Sequence, residues 1–255
     1  IDQVTRFLKQ EATAVLCLQE IKCRDDQFPV KAFHGAGYLH LAIAGQTGYH
    51  GVAIASRTPL ESIEKRSFCG KDDARHIAAS LPGGVRIDNF YVPAGGDEPD
   101  REANEKFDHK LNFMTEMADW FSGMEKKTKA KRVLVGDLNV APHEHDVWSH
   151  KQLLKVVSHT PIEVEHLDAM LASHDWTDVA RALVPDQEKL YSWWSYRARD
   201  WRASNRGRRL DHIWVSPVLK KAALNGGRAA FSIHEDCRGW KQPSDHAPVS
   251  LTLDV

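Results

Sequence analysis

The spacing of apolar positions divides the chain into elements before any chemistry is considered. Val4, Phe7 and Leu8 recur at helical spacing, so Asp2 to Gln10 is expected to be a helix. Thr13 to Leu18 is a short apolar run of strand length, with Gln19 and Glu20 at its end. Asp25 to Phe33 suggests a short helix. Tyr38 to Ala44 and Gly51 to Ser56 suggest two strands joined through the glycine-containing turn Gly45 to Gly48, a hairpin signal. Ile63 to Phe68, Ala74 to Leu81 and Val85 to Val92 continue the strand series, with Pro82-Gly83-Gly84 as a tight turn. Asn104 to Phe121 is the clearest helix. Phe107, Leu111, Met114 and Met117 lie on one stripe and belong to its core face.

In the second half, Val133 to Val135 is an apolar run with two β-branched valines, ended by Gly136, the pattern of a strand covered on both faces. Pro142 to Pro161 is irregular and rich in histidine, and Glu163 to Ser173 is helical. Tyr191 to Tyr196 is an aromatic strand, and Trp201 to Arg209 a basic loop. Leu210 to Ser216 and Val249 to Val255 are strands separated from one another by the loop Lys241 to Pro248. Antiparallel-looking runs separated by single helices suggest an α/β fold. Two mixed sheets would pack face to face with helices outside, as one domain over residues 1–255.

Composition narrows the picture. Hydrophobic residues make up 42% and charged residues 27%, ordinary for a globular domain, and the formal net charge is −1. There is no global basic field, so nucleic-acid binding would need a local basic face. No run is long enough to span a bilayer, and no signal peptide is read ahead of Ile1. Cys17, Cys23, Cys69 and Cys237 show no metal-type pairing, and Cys17 reads as a small core residue. A reducing, cytoplasmic home is expected.

Chemistry concentrates at strand ends. Glu20 follows Val15-Leu-Cys-Leu18, Asp137 and Asn139 follow the Val133 strand, Asp211 stands in Arg-Leu-Asp-His-Ile, and Asp245-His246 lies in the last loop. Carboxylates gathered at one end of a sheet repel unless a hard cation is present, and Mg²⁺ takes oxygen ligands together with a substrate phosphate. That suits phosphodiester hydrolysis. Ser244-Asp-His246 is a poor serine-hydrolase signature because no nucleophile elbow accompanies it. His246 is better read as a donor to phosphate, oriented by an acid such as Asp211. Arg197, Arg199, Arg202, Arg206, Arg208 and Arg209, interleaved with Trp201, suggest phosphate contact. Lys126 to Arg132 reads as a solvated helix end. His143-Glu-His145 lacks zinc-site spacing and reads as a surface loop. Trp193 and Trp194 alternate across a strand, one toward the core and the other available to a site.

Six short motifs carry a family resemblance: Leu18-Gln-Glu-Ile-Lys22, Gly48-Tyr-His-Gly-Val52, Tyr91-Val-Pro93, Gly136-Asp-Leu-Asn139, Arg209-Leu-Asp211 and Ser244-Asp-His246. Their order resembles that of the exonuclease III family, the bacterial apurinic/apyrimidinic endonucleases of the endonuclease/exonuclease/phosphatase superfamily. The resemblance spans essentially the whole chain. It implies a four-layer α/β sandwich and a Mg²⁺-dependent DNA-repair nuclease, with Mn²⁺ as a substitute metal. The substrate would be double-stranded DNA with abasic sites or 3′ ends, and the enzyme a monomer at the bacterial nucleoid. Glu20 resembles the principal metal ligand, with Asp245, Asp137 and Asn139 beside it. Asp137 resembles the residue that orients or deprotonates water, and Asn139 its partner. Tyr91 resembles the tyrosine beside the phosphate, and Asp211 and His246 the acid–imidazole pair. Tyr49, Gly51 and Arg208 would meet DNA, with Trp193 and Leu210 as pocket walls for an extruded sugar.

Three departures qualify the resemblance. The family's first strand, which carries an asparagine, is expected to be missing from the sequence as given, which begins at the helix after it, whether removed or not counted in this chain. The family's Tyr-x-Pro-Asn is Tyr91-Val-Pro93-Ala94. Bulky Trp148 and His150 stand where a Gly- and Asn-rich loop is usual, and are expected to hinder an extrahelical sugar more than 3′-end processing. Two other readings stay open at this level: a superfamily phosphatase on a small molecule or lipid, and a catalytically weakened DNA-binding module.

Overall fold

The computed structural model describes residues 1–124, 129–198 and 200–255. Lys126 and Lys127 of the basic run and Arg199 of the arginine run lie outside the described residues. By contacts the chain forms two compact units. The first comprises Ile1–Tyr91 and Lys131–Asp137, the second Val92–Ala130 and Leu138–Val255.

The first unit holds helices α1 (Asp2–Glu11) and α2 (Val30–Gly35) and seven strands. These are β1 (Val15–Gln19), β2 (His40–Ala44), β3 (Val52–Ser56), β4 (Glu61–Lys65), β5 (His76–Ser80), β6 (Arg86–Tyr91) and β7 (Arg132–Asp137). β3 lies between β1 and β2, antiparallel to both. β4, β5 and β6 run antiparallel in sequence order, and β6 then pairs with β7 in parallel. A parallel pair needs a crossover, and the chain between the two strands provides it. The expected helix over Asp25 to Phe33 is broken at Pro29 into a single 3₁₀ turn and α2, because proline lacks the amide that a continuous helix requires.

The two sheet segments of this unit face one another. Ala42, Ala44, Val52 and Ile54 from one meet Ile77, Ala79, Ile87 and Tyr91 from the other, with Cys17 and Val135 packed alongside. All five residues of β3 are buried, which explains its apolar run from Val52 to Ala55. Fully burying a valine or isoleucine stabilises by about 1.5–3 kcal/mol each. Cys17 is a free thiol whose pKa burial pushes up to about 12, so it is an inert core group.

The second unit contains α3 (Glu105–Ser122), α4 (His150–Leu153), α5 (Pro161–Ser173), α6 (Val179–Leu183), α7 (Trp201–Ser204) and α8 (Lys220–Asn225). Its strands are β8 (Thr177–Asp178), β9 (Trp193–Trp194), β10 (Gly207–Arg208), β11 (Asp211–Val215), β12 (Phe231–Ile233) and β13 (Val249–Leu251). They pair antiparallel as β8 with β11, β9 with β10, and β12 with β13. Asn104 caps α3 by accepting from the Lys106 amide at 3.1 Å. α3 buries Phe107, Leu111, Met114 and Met117, the stripe read from its periodicity, and also Lys110, Phe113 and Phe121. The chain is thus α/β with mixed sheets flanked by helices, as expected. The aromatic strand is shorter than its composition suggested. The basic loop contains α7 and β10. Among the described residues no helix is long and apolar enough to cross a membrane.

Candidate active site

In the first unit, Glu20 stands just past the end of β1 with φ 51°, and Lys22 follows with φ 53°. Two non-glycine residues in the left-handed region so close together are uncommon and persist only where surroundings enforce them. Here the Ile21 and Lys22 amides donate to the Gly51 and His50 carbonyls at 3.1 and 3.0 Å. Gly51 itself has φ 100°, and a Cβ there would lie 2.6 Å from the Ile21 side chain. Gly51 is buried and braces the Glu20 turn, whereas Tyr49 beside it is 76% exposed. A second brace is Asn89, buried on β6. It accepts from Gln19 at 2.6 Å and donates to the Leu18 and Ala53 carbonyls at 3.0 Å.

Tyr91 donates its hydroxyl hydrogen bond to Glu20, and Lys22 pairs with the other Glu20 oxygen at 2.7 Å. Arg75 lies 4.9 Å over the Tyr91 ring. Asp137 is registered opposite Tyr91 across the parallel β6–β7 pair and is 4% exposed. Gly136 makes that register possible: its φ is 142°, and a Cβ would stand 1.9 Å from the Phe90 carbonyl oxygen. Burial raises the Tyr91 phenol pKa, and the Glu20 hydrogen bond and the Glu20 and Asp137 charges raise it further. Both carboxylates therefore act on one phenol. Their hard oxygens and concentrated negative charge fit a divalent cation such as Mg²⁺.

In the second unit, sequence-distant residues converge on Asp211 at the start of β11. Ser192 donates to the Asp211 carboxylate at 2.6 Å and accepts from the Leu210 and Asp211 amides at 3.0 and 3.1 Å. His246 Nδ1 meets the same carboxylate oxygen at 2.8 Å. With the acid ionised, that nitrogen is the donor, which fixes the imidazole's orientation. Asp245 accepts from the Trp193 indole at 3.0 Å. Trp194 is buried and Trp193 half-buried, the division expected of them. Asn139, at φ 55°, donates from its side chain to the Val92 carbonyl at 2.9 Å.

The arginine run divides sharply. Arg209 is fully buried, paired with Asp146 and Asp178 at 2.8 Å each and donating to His212 at 3.1 Å. Reading it as a phosphate contact is corrected: two carboxylates already neutralise it, out of reach of solvent. Arg208 is half-buried, lies 5.3 Å over Trp193 and donates to Val157 and Ser158 at 2.9 and 2.7 Å. Arg202 is exposed but paired with Asp236 at 3.0 Å. Arg197 and Arg206 are exposed, and Arg206 lies 4.7 Å over Trp148. His143 is exposed and His145 half-buried, as expected of a surface segment.

The two bulky loop residues also part company. Trp148 packs against the same cluster as Trp193, with Leu210 and Val147 in it. His150 turns instead to His159, 2.8 Å away. Only Trp148 shares the surroundings of the expected pocket walls. Residues that the sequence did not single out also matter: Ser192, Asp146, Lys110 and Asn89. Their signal was weak, since each is of a common type inside an otherwise ordinary element.

Over residues 1–246 the chain matches the Endonuclease/Exonuclease/phosphatase family, and it belongs to that family. Within it, its kin are the exonuclease III-like nucleases, enzymes of the phosphodiester hydrolase type. The chain is 30% identical to exodeoxyribonuclease III of Haemophilus influenzae, covering 97% of this chain and 92% of that one. Among solved structures it resembles an AP endonuclease from Archaeoglobus fulgidus, with TM-score 0.89 and 29% identity over 99% of this chain and 93% of that one. It also resembles the 3′ phosphatase NExo from Neisseria bound to a product DNA hairpin, with TM-score 0.86 and 29% identity over 100% and 94%.

Proposed function

We propose that the protein is a Mg²⁺-dependent DNA-repair nuclease that hydrolyses phosphodiesters in duplex DNA. It acts as a 3′–5′ exonuclease and 3′-phosphodiesterase or 3′-phosphatase in preference to incising abasic sites. The observation that carries this reading is the His246–Asp211 pair held by Ser192. It is an oriented imidazole of the kind that donates to a phosphate oxygen as charge develops there. Glu20, Asp137, Asn139 and Asp245 would hold the metal, which when bound neutralises charge on the phosphoryl oxygens. Asp137 orients or deprotonates the attacking water with Asn139 as partner, and Tyr91 lies beside the phosphate. Tyr49, Arg197 and Arg206 supply exposed contacts to the backbone. Trp148 supports the preference for 3′ ends, because it packs beside Trp193 and Leu210, where an extruded sugar would be received.

A gel assay on duplexes bearing a 3′-phosphate, a recessed 3′ end or an abasic site tests this. Cleavage of the first two is expected with Mg²⁺, none with chelator, and recovery on adding Mg²⁺ or Mn²⁺. Glu20→Gln is expected to abolish turnover. A chain that leaves every duplex intact yet hydrolyses a soluble phosphoester would overturn the reading.

A further inference from the structure

Lys110 is a lysine on the buried stripe of α3, with no exposure at all. An ammonium in that position is costly unless every donor is matched. Its Nζ donates to three acceptors: the Glu163 carboxylate, the Asn139 carbonyl at 2.8 Å and the Ala94 carbonyl at 3.3 Å. Glu163 is saturated in turn, accepting from the Ser158 amide at 2.9 Å and from the Thr160 amide and hydroxyl at 3.1 and 2.7 Å. The lysine stem also fixes its neighbours: at Gly95, with φ 91°, an added Cβ would meet Lys110 Cδ at 2.9 Å.

An ion pair that only stabilised α5 would need Glu163 and its cap. The two carbonyls are extra, and they belong to the turns following Tyr91 and Asp137. Asn139 is a non-glycine residue at φ 55°. Its side chain is anchored on Val92, and its carbonyl is anchored by Lys110. We propose that Lys110 is a positioning residue: its buried ammonium clamps the Ala94 and Asn139 turns and so holds the Asn139 carboxamide in working orientation. This rests on the nuclease reading for the role of Asn139, but the clamp itself does not.

The experiment combines kinetics with hydrogen exchange on the full chain. Lys110→Met/Glu163→Gln removes both charges at similar volume. The carboxamide oxygen introduced at position 163 can still accept from the Ser158 and Thr160 amides, so the fold is expected to persist. The variant's kcat on a 3′-phosphate duplex is expected to fall roughly 10²-fold with KM within twofold, as misplacement of a reacting group does. In an Asn139→Ala background the same change is expected to lower kcat less than threefold further, because it acts through Asn139. Amide exchange across residues 138–141 is expected to rise at least tenfold, with that in β3 unchanged. Additive losses of kcat, or unchanged exchange at 138–141, would overturn the clamp. A wild-type chain inactive on every duplex would overturn the nuclease reading instead, and the exchange arm would still decide the clamp. If the double variant fails to fold, Lys110→Met and Glu163→Gln are assayed singly: the same rise at 138–141 in Lys110→Met supports the clamp, and its absence overturns it.

Discussion

At the scale of single residues, the electrostatics beneath β11 are as specific as those at its tip. His212 follows Asp211 and points inward. It accepts from Arg209 on Nδ1 and donates from Nε2 to the Val140 carbonyl at 2.8 Å. Burial first, and then the Arg209 charge, depress its pKa from 6.5 to about 4. The unfolded imidazole therefore binds a proton between those values while the folded one does not, so stability falls as pH falls through that window. The loss amounts to about 3 kcal/mol by pH 4. Asp146 adds a second limb. Burial works to raise its pKa, but the Arg209 and Arg181 guanidiniums hold it down to about 2 from 3.8. Its contribution, about 2 kcal/mol, is present above the unfolded value and is lost as pH falls through 2. Urea midpoints measured from pH 7 to 4 should drop in wild type and drop less in His212→Gln, which can still donate to Val140 and leaves the burial-depressed His50 and His159 to titrate. Parallel curves for the two proteins would show that His212 does not carry the effect. Residues of this kind explain what could be read in advance and what could not. Glu20, Asp137, Asp211 and His246 were legible because a polar group at a strand end has no packing purpose. Ser192, Asp146 and Lys110 were not, because what sets them apart is partners distant in the chain. Arg209 misled because a buried arginine and a solvated one look alike in a basic run.

At the scale of elements, hydrophobic period located most strands and the long helix, and turn chemistry adjusted their ends. α5 begins at Pro161 rather than Glu163 because Thr160 and Glu163 form a capping box around a proline in the first turn. β9 spans only Trp193–Trp194: the Ser192 side chain before it holds Asp211, and Ser195 after it opens a turn closed by the Ala198 amide. α8 and β12 had no strong period to announce them. The segment 141–150 stood out in the sequence for its bulky residues, but not as an element tied down by Asp146 through Arg209 and Arg181. That anchoring gives Trp148 a fixed post beside Trp193. Replacing it should therefore open space instead of merely loosening the loop. Trp148→Gly is expected to raise abasic-site incision relative to 3′-phosphate removal by roughly tenfold, equivalent to about 1.4 kcal/mol of steric exclusion relieved. Matched single-turnover assays on the two duplexes measure the ratio. An unchanged ratio would place the discrimination elsewhere.

At the scale of the whole molecule, a net charge of −1 means that DNA affinity must come from a few well-placed cations. The arginines of the 197–209 run are unequal for this purpose. Arg209 is spent on Asp146 and Asp178, Arg208 on Val157 and Ser158, and Arg202 on Asp236. Arg197 and Arg206 are exposed, and the Arg206 guanidinium is steadied over Trp148. Each phosphate neutralised releases counterions, so log affinity falls with log salt by roughly 0.9 per contact on duplex DNA. Arg197→Ala/Arg206→Ala is accordingly expected to lower the salt slope of duplex binding by about 2, while leaving kcat at saturating DNA nearly intact. Arg202→Ala should change the slope by less, because its charge is already offset by Asp236. Fluorescence anisotropy across a salt series, with a non-cleavable duplex, measures all three slopes. Equal slopes in wild type and the double variant would remove these arginines from the interface. A larger effect from Arg202 than from the other two would mean that the Asp236 pair opens when DNA binds, since only a released guanidinium could displace counterions from phosphate.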